Sequence, residues 1–376
     1  MRGRQGVNKL FLGITLLLLL GGLLIFMSAS LGLLARPDTD SASGFATRQI
    51  LEQIVAAFAG LFLMGWLSKF PYKKLKRWSL LIFFTTFALT ALVFVPGIGE
   101  ESGGGRRWID AGPVSVQPVE FLKLGFVIYF AALLSSRKDR LGAFGEGIFP
   151  AIAIFAVIAG LLLAQPNTSM TLIIIGTGVI MLFAAEVKLK YLMLLGLLGI
   201  VVFGGVLFAR PYTLERVRTF IDPESADPRG EGWQINQALI AVGSGGITGK
   251  GFGHSTQKFG TLPEPTGDSI YAVAAEEFGL FGSAGLIVGF LVFAIAGLRI
   301  AGGAPDLFGR LLATGIVILI VLQSYWNIAS MMGLMPIAGL PLIFVSNGGT
   351  ALFLALAEIG IVLNISRHAH LTHHIS

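Results

Sequence analysis

The chain has 376 residues, of which 54% are hydrophobic and only 13% charged. Soluble domains carry about 25% charged residues, so this composition excludes an ordinary soluble enzyme and defines an integral membrane protein. There is no cysteine, which excludes disulfides and thiol chemistry. The net charge of +6 falls in short loops between apolar runs, which argues against nucleic acid as a partner.

The first apolar run, residues 10–34, follows Arg2, Arg4 and Lys9. A signal-peptide core is shorter than ~15 residues, so this run reads as a retained spanning helix. Nine further runs follow, near residues 50–69, 79–97, 119–134, 148–164, 170–186, 190–209, 269–298, 309–333 and 349–366. Ten spans place both termini on one side. With the termini in the cytoplasm, the inner segments hold 16 basic residues, while the short outer loops hold only Arg36, Arg48, Arg106 and Arg107. Six more lie in the segment 210–268, which is long enough to weaken the positive-inside rule.

Residues 1–376 therefore read as a single polytopic domain, all-α in class, with about ten transmembrane helices and both termini cytoplasmic. Its two long extracytoplasmic loops are residues 98–118 and 210–268, the second joining the seventh and eighth spans. His368, His370, His373 and His374 crowd the C-terminal tail. They can bind a stray metal, but they read more simply as a frayed terminus.

Three stretches carry candidate chemistry. In GGGRRWIDAGPVSVQPVEFLKL, a helix starting at Pro118 places Glu120 and Lys123 on one face. Charges at membrane depth form either a packing ion pair or the wall of an outward cavity. Arg106 and Arg107, just outside, suit phosphate or lipid headgroups, or are merely solvated.

The second stretch runs from SGGITGKGFGHSTQKFG into TLPEPTGDSIYAVAAEEFGLFG. Its glycines permit close backbone approach to a ligand, and Lys250 and Lys258 suit a diphosphate; a flexible loop is the plainer reading. Asp268 sits where it can cap the eighth span. It also sits at the outer boundary after a stiff PEPTG loop, where burial raises a carboxylate toward a useful general base. Glu264 is the alternative acid nearby. Glu276 and Glu277 lie about 12 Å further along the helix, too deep to act on the same atom.

The third stretch, MPIAGLPLIFVSNGGTALF, breaks the helical pattern at Pro336 and Pro341. Irregular backbone at this depth belongs where it is buried or lines a cavity. Gln165-Pro166-Asn167 forms a tight outer turn between the fifth and sixth spans.

Taken in order, RRWIDAGPVSVQPVEFLKL, QPNTSMTLII, QINQALIAVGSGGITGKGFGHSTQKFGTLPEPTGDSIYAVAAEEFGLFG and GLPLIFVSNGGTALFLALAEIGIVLNISR resemble the SEDS family of bacterial wall synthesis, the FtsW/RodA/SpoVE proteins. PTGDSIYA is more similar to division-type FtsW than to elongation-type RodA sequences. Many relatives carry an acid where this chain has Asn167, and SYGGSS where it has Ser346-Asn347-Gly348-Gly349-Thr350.

The resemblance implies a peptidoglycan glycosyltransferase that polymerises lipid II at the outer face of the bacterial cytoplasmic (inner) membrane. It assigns Asp268 as general base on the acceptor hydroxyl, with inversion and release of undecaprenyl diphosphate. It places Glu120 and Lys123 at the central cavity, and Arg106, Lys250, Lys258 and Glu264 at the substrate. A divalent cation, Mg or Mn, is the cofactor that could assist the leaving group, although the sequence contains no clear ligand set. The implied partners are a class B penicillin-binding protein and other division proteins. A lipid II flippase and a noncatalytic scaffold are the competing readings.

Overall fold

The computed structural model describes residues 6–34, 40–102, 105–110, 112, 115–141, 144–222 and 230–369. Arg2, Arg4, Arg36, His370, His373 and His374 lie outside these residues. The helices are α1 (Lys9–Leu34), α2 (Asp40–Leu67), α3 (Lys73–Ala91), α4 (Pro118–Ser136), α5 (Phe149–Ala164), α6 (Thr168–Ala184), α7 (Leu189–Ala209), α8 (Pro211–Ile221), α9 (Glu231–Ser244), α10 (Ile270–Gly302), α11 (Leu307–Met331) and α12 (Gly349–Ser366). Among the described residues nine helical segments are long and apolar enough to cross a membrane, and α6, at 17 residues, is a shorter apolar tenth. These are the ten segments expected from hydropathy.

The two long connections are more ordered than the sequence suggested. Residues 98–118 contain an antiparallel three-stranded sheet, β1 (Gly99–Ser102), β2 (Gly105–Asp110) and β3 (Ser115–Val116), in the order β1-β2-β3. Residues 210–268 contain α8 and α9. Proline at its first turn starts α8, and Thr213, Arg216, Val217 and Phe220 then recur at helical spacing along one face. The reading of WQINQALIAVG as a short helix corresponds to α9.

Helix α12 is almost wholly enclosed and packs along α2, while α11 touches α10, α4 and α6. Helix α7 exposes nearly all of its surface. Small residues set the closest approaches, as expected where lipid offers no hydrophobic drive between helices. A side chain on Gly22 of α1 would run into the Phe344 carbonyl, and one on Gly360 of α12 would lie 2.7 Å from the Met64 carbonyl of α2.

Helix α10 is broken at Gly279, whose φ of 63° and ψ of −158° leave backbone groups without helical partners. A membrane-embedded break must be satisfied by other protein groups. The SGGITGKG turn does this. Lys250 and Gly251 N–H donate to the carbonyls of Glu276 and Glu277 at 3.0 and 2.9 Å, and Leu280 N–H donates to the Gly246 carbonyl at 2.9 Å. A side chain on Gly249 would collide with the Glu277 carbonyl. The glycines thus admit close backbone approach, but to α10 rather than to a ligand.

Candidate active site

Two irregular segments meet at one end of the bundle. The first is PEPTGDS, residues 263–269, entering α10. The second runs through residues 332–348, between α11 and α12, and buries Leu340, Leu342, Ile343, Phe344 and Val345. Its backbone is satisfied by polar side chains from flanking helices. Asn327 Nδ2 donates to the Leu340 carbonyl at 2.7 Å, Gln323 Nε2 to the Pro341 carbonyl at 3.1 Å, and Gln53 Nε2 to the Ser346 carbonyl at 3.0 Å. Asn327 and the segment itself grip the acid loop. Asn327 Nδ2 also donates to the Asp268 carbonyl at 2.7 Å, Ser346 Oγ to the Gly267 carbonyl at 2.7 Å, and Asn347 N–H to the Thr266 carbonyl at 2.6 Å. Asp268 is therefore held from its backbone, which leaves the carboxylate to be set by its surroundings.

That carboxylate does not cap α10. The cap position is Ser269, and no side chain bonds there. Asp268 is half-buried. Burial among protein atoms raises its pKa to about 6, reinforced by the Glu264 charge and opposed by Arg216 and Arg107. Glu264 is exposed and adopts φ 46°, an uncommon conformation for a residue with a side chain, and its carbonyl accepts from Gly267 and Ser269 N–H.

Beside Asp268 opens a largely apolar groove of about 390 Å³, bounded by Asn167, Phe203, Phe220, Trp326 and residues 335–338, with Arg107 and Arg216 contributing positive charge. Gly339 (φ 60°), next in the chain to the groove residue Ala338, adjoins the acid. A Cβ there would lie 3.5 Å from Asp268 Oδ2 and 3.9 Å from Arg216 Nη2. Arg107 is anchored by donation to the carbonyls of Gln165 and Pro166, and Arg216 lies over the Tyr212 ring at 4.4 Å. Asn167 accepts from Met170 N–H as the cap of α6, and its buried Nδ2 has no partner among the described residues.

The remaining sequence candidates are placed elsewhere. Strand alternation separates Arg106 from Arg107, so Arg106 is exposed and it is Arg107 that lines the groove. Lys258 is fully buried, with Nζ 2.7 Å from Glu277 Oε1 and 2.9 Å from Ser28 Oγ. Lys250 Nζ lies 2.5 Å from Glu276 Oε1. Both lysines are engaged by the deep acids of α10, which corrects the expectation that they meet a diphosphate. Glu120 and Lys123 form a 2.6 Å pair that is nearly unexposed and faces an enclosed void rather than the groove. This corrects their expected place on an open cavity wall.

Sequence reasoning missed Arg216 and undervalued Arg107. The helical spacing of Thr213, Arg216, Val217 and Phe220 after Pro211 was the available signal for the first. The two guanidiniums on the groove suit an anion, and among the described residues no three His, Asp or Glu side chains converge as metal ligands.

Fold and site together define a multi-pass membrane protein with a charged, half-enclosed groove at one end of its bundle. The model of the FtsW/RodA/SpoVE family, described as "Cell cycle protein", matches residues 8–371, and the chain belongs to this family. It is 38% identical over 356 residues to stage V sporulation protein E of Bacillus subtilis strain 168, covering 95% of this chain and 96% of that one. It is 36% identical over 366 residues to a probable peptidoglycan glycosyltransferase FtsW of Geobacter sp. strain M18, covering 97% and 98%. Among solved structures, a chain of a peptidoglycan synthase complex that coordinates polymerization and crosslinking superposes with a TM-score of 0.77 at 25% identity, covering 97% of this chain and 98% of that one. The rod shape determining protein RodA of Thermus thermophilus shares the fold, with a TM-score of 0.69 at 24% identity and coverage of 97% and 98%.

Proposed function

We propose that this protein is a peptidoglycan glycosyltransferase that polymerises lipid II during cell division, at the outer face of the bacterial cytoplasmic membrane. The carrying observation is the juxtaposition of a half-buried aspartate, its pKa raised to about 6, with two guanidiniums at an apolar groove. The apolar walls accept the lipid-proximal part of the donor, and Arg107 and Arg216 neutralise its diphosphate. Asp268 takes the proton from the 4-hydroxyl of the acceptor GlcNAc. The oxygen attacks the anomeric carbon of the donor MurNAc, the bond from that carbon to the diphosphate oxygen breaks, and undecaprenyl diphosphate leaves with inversion. A base with a pKa near 6 is ionised at neutral pH yet still able to hold the proton.

Both termini lie in the cytoplasm under this reading, which the distribution of basic residues supports. A class B penicillin-binding protein is the cognate partner, with other division proteins assembling around the pair. The test supplies lipid II to the purified protein with that partner's transpeptidase blocked. Glycan chains on a gel are expected. No polymer, with lipid II crossing liposome membranes instead, would establish the flippase reading.

Neighbouring charges give a finer prediction. Arg216→Ala removes a positive neighbour of Asp268, so the acid limb of kcat/KM moves to higher pH. Glu264→Gln removes a negative one, so the limb moves lower. Arg216→Ala should also raise KM about tenfold or more, the loss of a charge-assisted contact. Shifts of the two limbs in the same direction would exclude Asp268 as the titrating group.

A further inference from the structure

A void enclosed by α4, α11 and α12 has a volume of about 10 Å³, at the lower limit for a single water. Three titratable side chains line it: Glu120 and Lys123 from α4 and Glu358 from α12. All three are buried, at 2%, 3% and 3% exposure. Gln323 is the other polar lining residue, and the remainder, from Leu319 to Ala355, are aliphatic. Two carboxyl groups against one ammonium leave one negative charge uncompensated in a space that admits at most a single water.

The hydrogen bonding shows where the deficit lies. Lys123 Nζ sits 2.6 Å from Glu120 Oε2 and donates to Gln323 Oε1 at 2.6 Å. The other carboxyl oxygen, Glu120 Oε1, is buried and has no hydrogen-bond partner among the described residues. It is an acceptor lacking a donor. An isolated carboxylate at this depth is strongly disfavoured. A larger monovalent cation would need a cage of several oxygens, and a void of this size beside an ammonium does not provide one.

We propose that this void is a proton-binding site, in which one proton is shared between the Glu358 carboxyl and Glu120 Oε1. The neutral acid supplies the missing donor, and the three charged groups become a neutral cluster joining α12 to α4. Gln323 extends the cluster to the Pro341 carbonyl at 3.1 Å, within the segment that braces Asp268. The proposal stands independently of the polymerase reading.

Infrared difference spectroscopy of the full chain in lipid nanodiscs at pH 8 tests it, since Asp268, with a pKa of about 6, is ionised there. The expected wild-type spectrum contains a carboxylic-acid carbonyl band that shifts on deuteration and is lost in Glu358→Gln. The thermal midpoint of Glu358→Gln should stay within a few degrees of wild type, because the amide matches the neutral acid and can donate to Glu120 Oε1. Absence of the wild-type band overturns the proposal, and that measurement needs no variant. A band that survives in Glu358→Gln, a Glu358→Gln protein that fails to fold, or a wild-type midpoint that rises with sodium at fixed pH would each overturn it as well.

Discussion

Asp268→Asn is expected to fold, to lose polymerisation by roughly 10²- to 10⁴-fold, the usual contribution of a general base, and to be more thermostable than wild type at pH 8. The last expectation follows from linkage. A carboxyl whose pKa is raised on folding is bound more tightly to its proton in the native state. That stabilisation is complete below the unfolded value near 4 and is lost as pH rises through the folded value of about 6. At pH 8 the wild type carries the full cost of a partly desolvated carboxylate, at most about 3 kcal/mol for a shift of about two units, and less because Asp268 is only half-buried. Asparagine carries no such cost. Thermal midpoints of the two proteins should therefore separate as pH rises from about 4 to 6, stay apart above that, and converge below pH 4. An Asp268→Asn protein less stable than wild type at pH 8 would mean that the carboxylate supports the loop, and the loss of polymer could then no longer be assigned to chemistry.

This balance explains how Asp268 is held. Its position is fixed through main-chain carbonyls, gripped by Asn327 and Ser346, so the side chain is not needed to build the loop. An acid used for proton transfer must exchange its proton without the loop collapsing, and backbone anchoring provides that separation.

The spans were legible because runs of apolar residues longer than the bilayer core leave few alternatives. The position of Asp268 was legible too, after a proline-stiffened loop at the end of a span. The pairing of loops was not. Asn347 N–H reaches the Thr266 carbonyl across 81 residues of sequence, and no local pattern encodes that contact. The lysines misled for a related reason. Lys250 and Lys258 sit in a glycine-rich turn that looks made for a phosphate, but the same glycines let the turn fit against the break at Gly279, and this delivers both ammoniums to Glu276 and Glu277. Arg107 and Arg216 are separated by 109 residues and reach one groove only once β2 and α8 are folded.

The two lysine–glutamate pairs differ in a way that predicts unequal effects. Lys258 and Glu277 are both fully buried, and among the described residues Glu277 keeps only Ser28 Oγ and Ser255 N–H as other donors. Lys258→Met therefore strands a carboxylate in the interior and should cost about 3–5 kcal/mol. Lys250 is part-exposed, and Glu276 retains Ser255 Oγ, Thr256 N–H and Oγ1, Gln257 N–H and Ser244 Oγ. Lys250→Met should cost nearer 1 kcal/mol, the range of a part-exposed ion pair or an ordinary hydrogen bond. Adding Glu277→Gln to Lys258→Met removes the stranded charge and should restore much of the lost stability, a coupling that a double-mutant cycle reads directly. Denaturation midpoints of the four proteins in one detergent check the set. Equal losses from Lys250→Met and Lys258→Met would show that burial does not set the cost. A double variant no more stable than Lys258→Met would show that the lysine acts by filling space, not by pairing its charge. Because Lys258 stands ten residues before Asp268, the single variant should also lower polymerisation, and Glu277→Gln should recover activity and stability together.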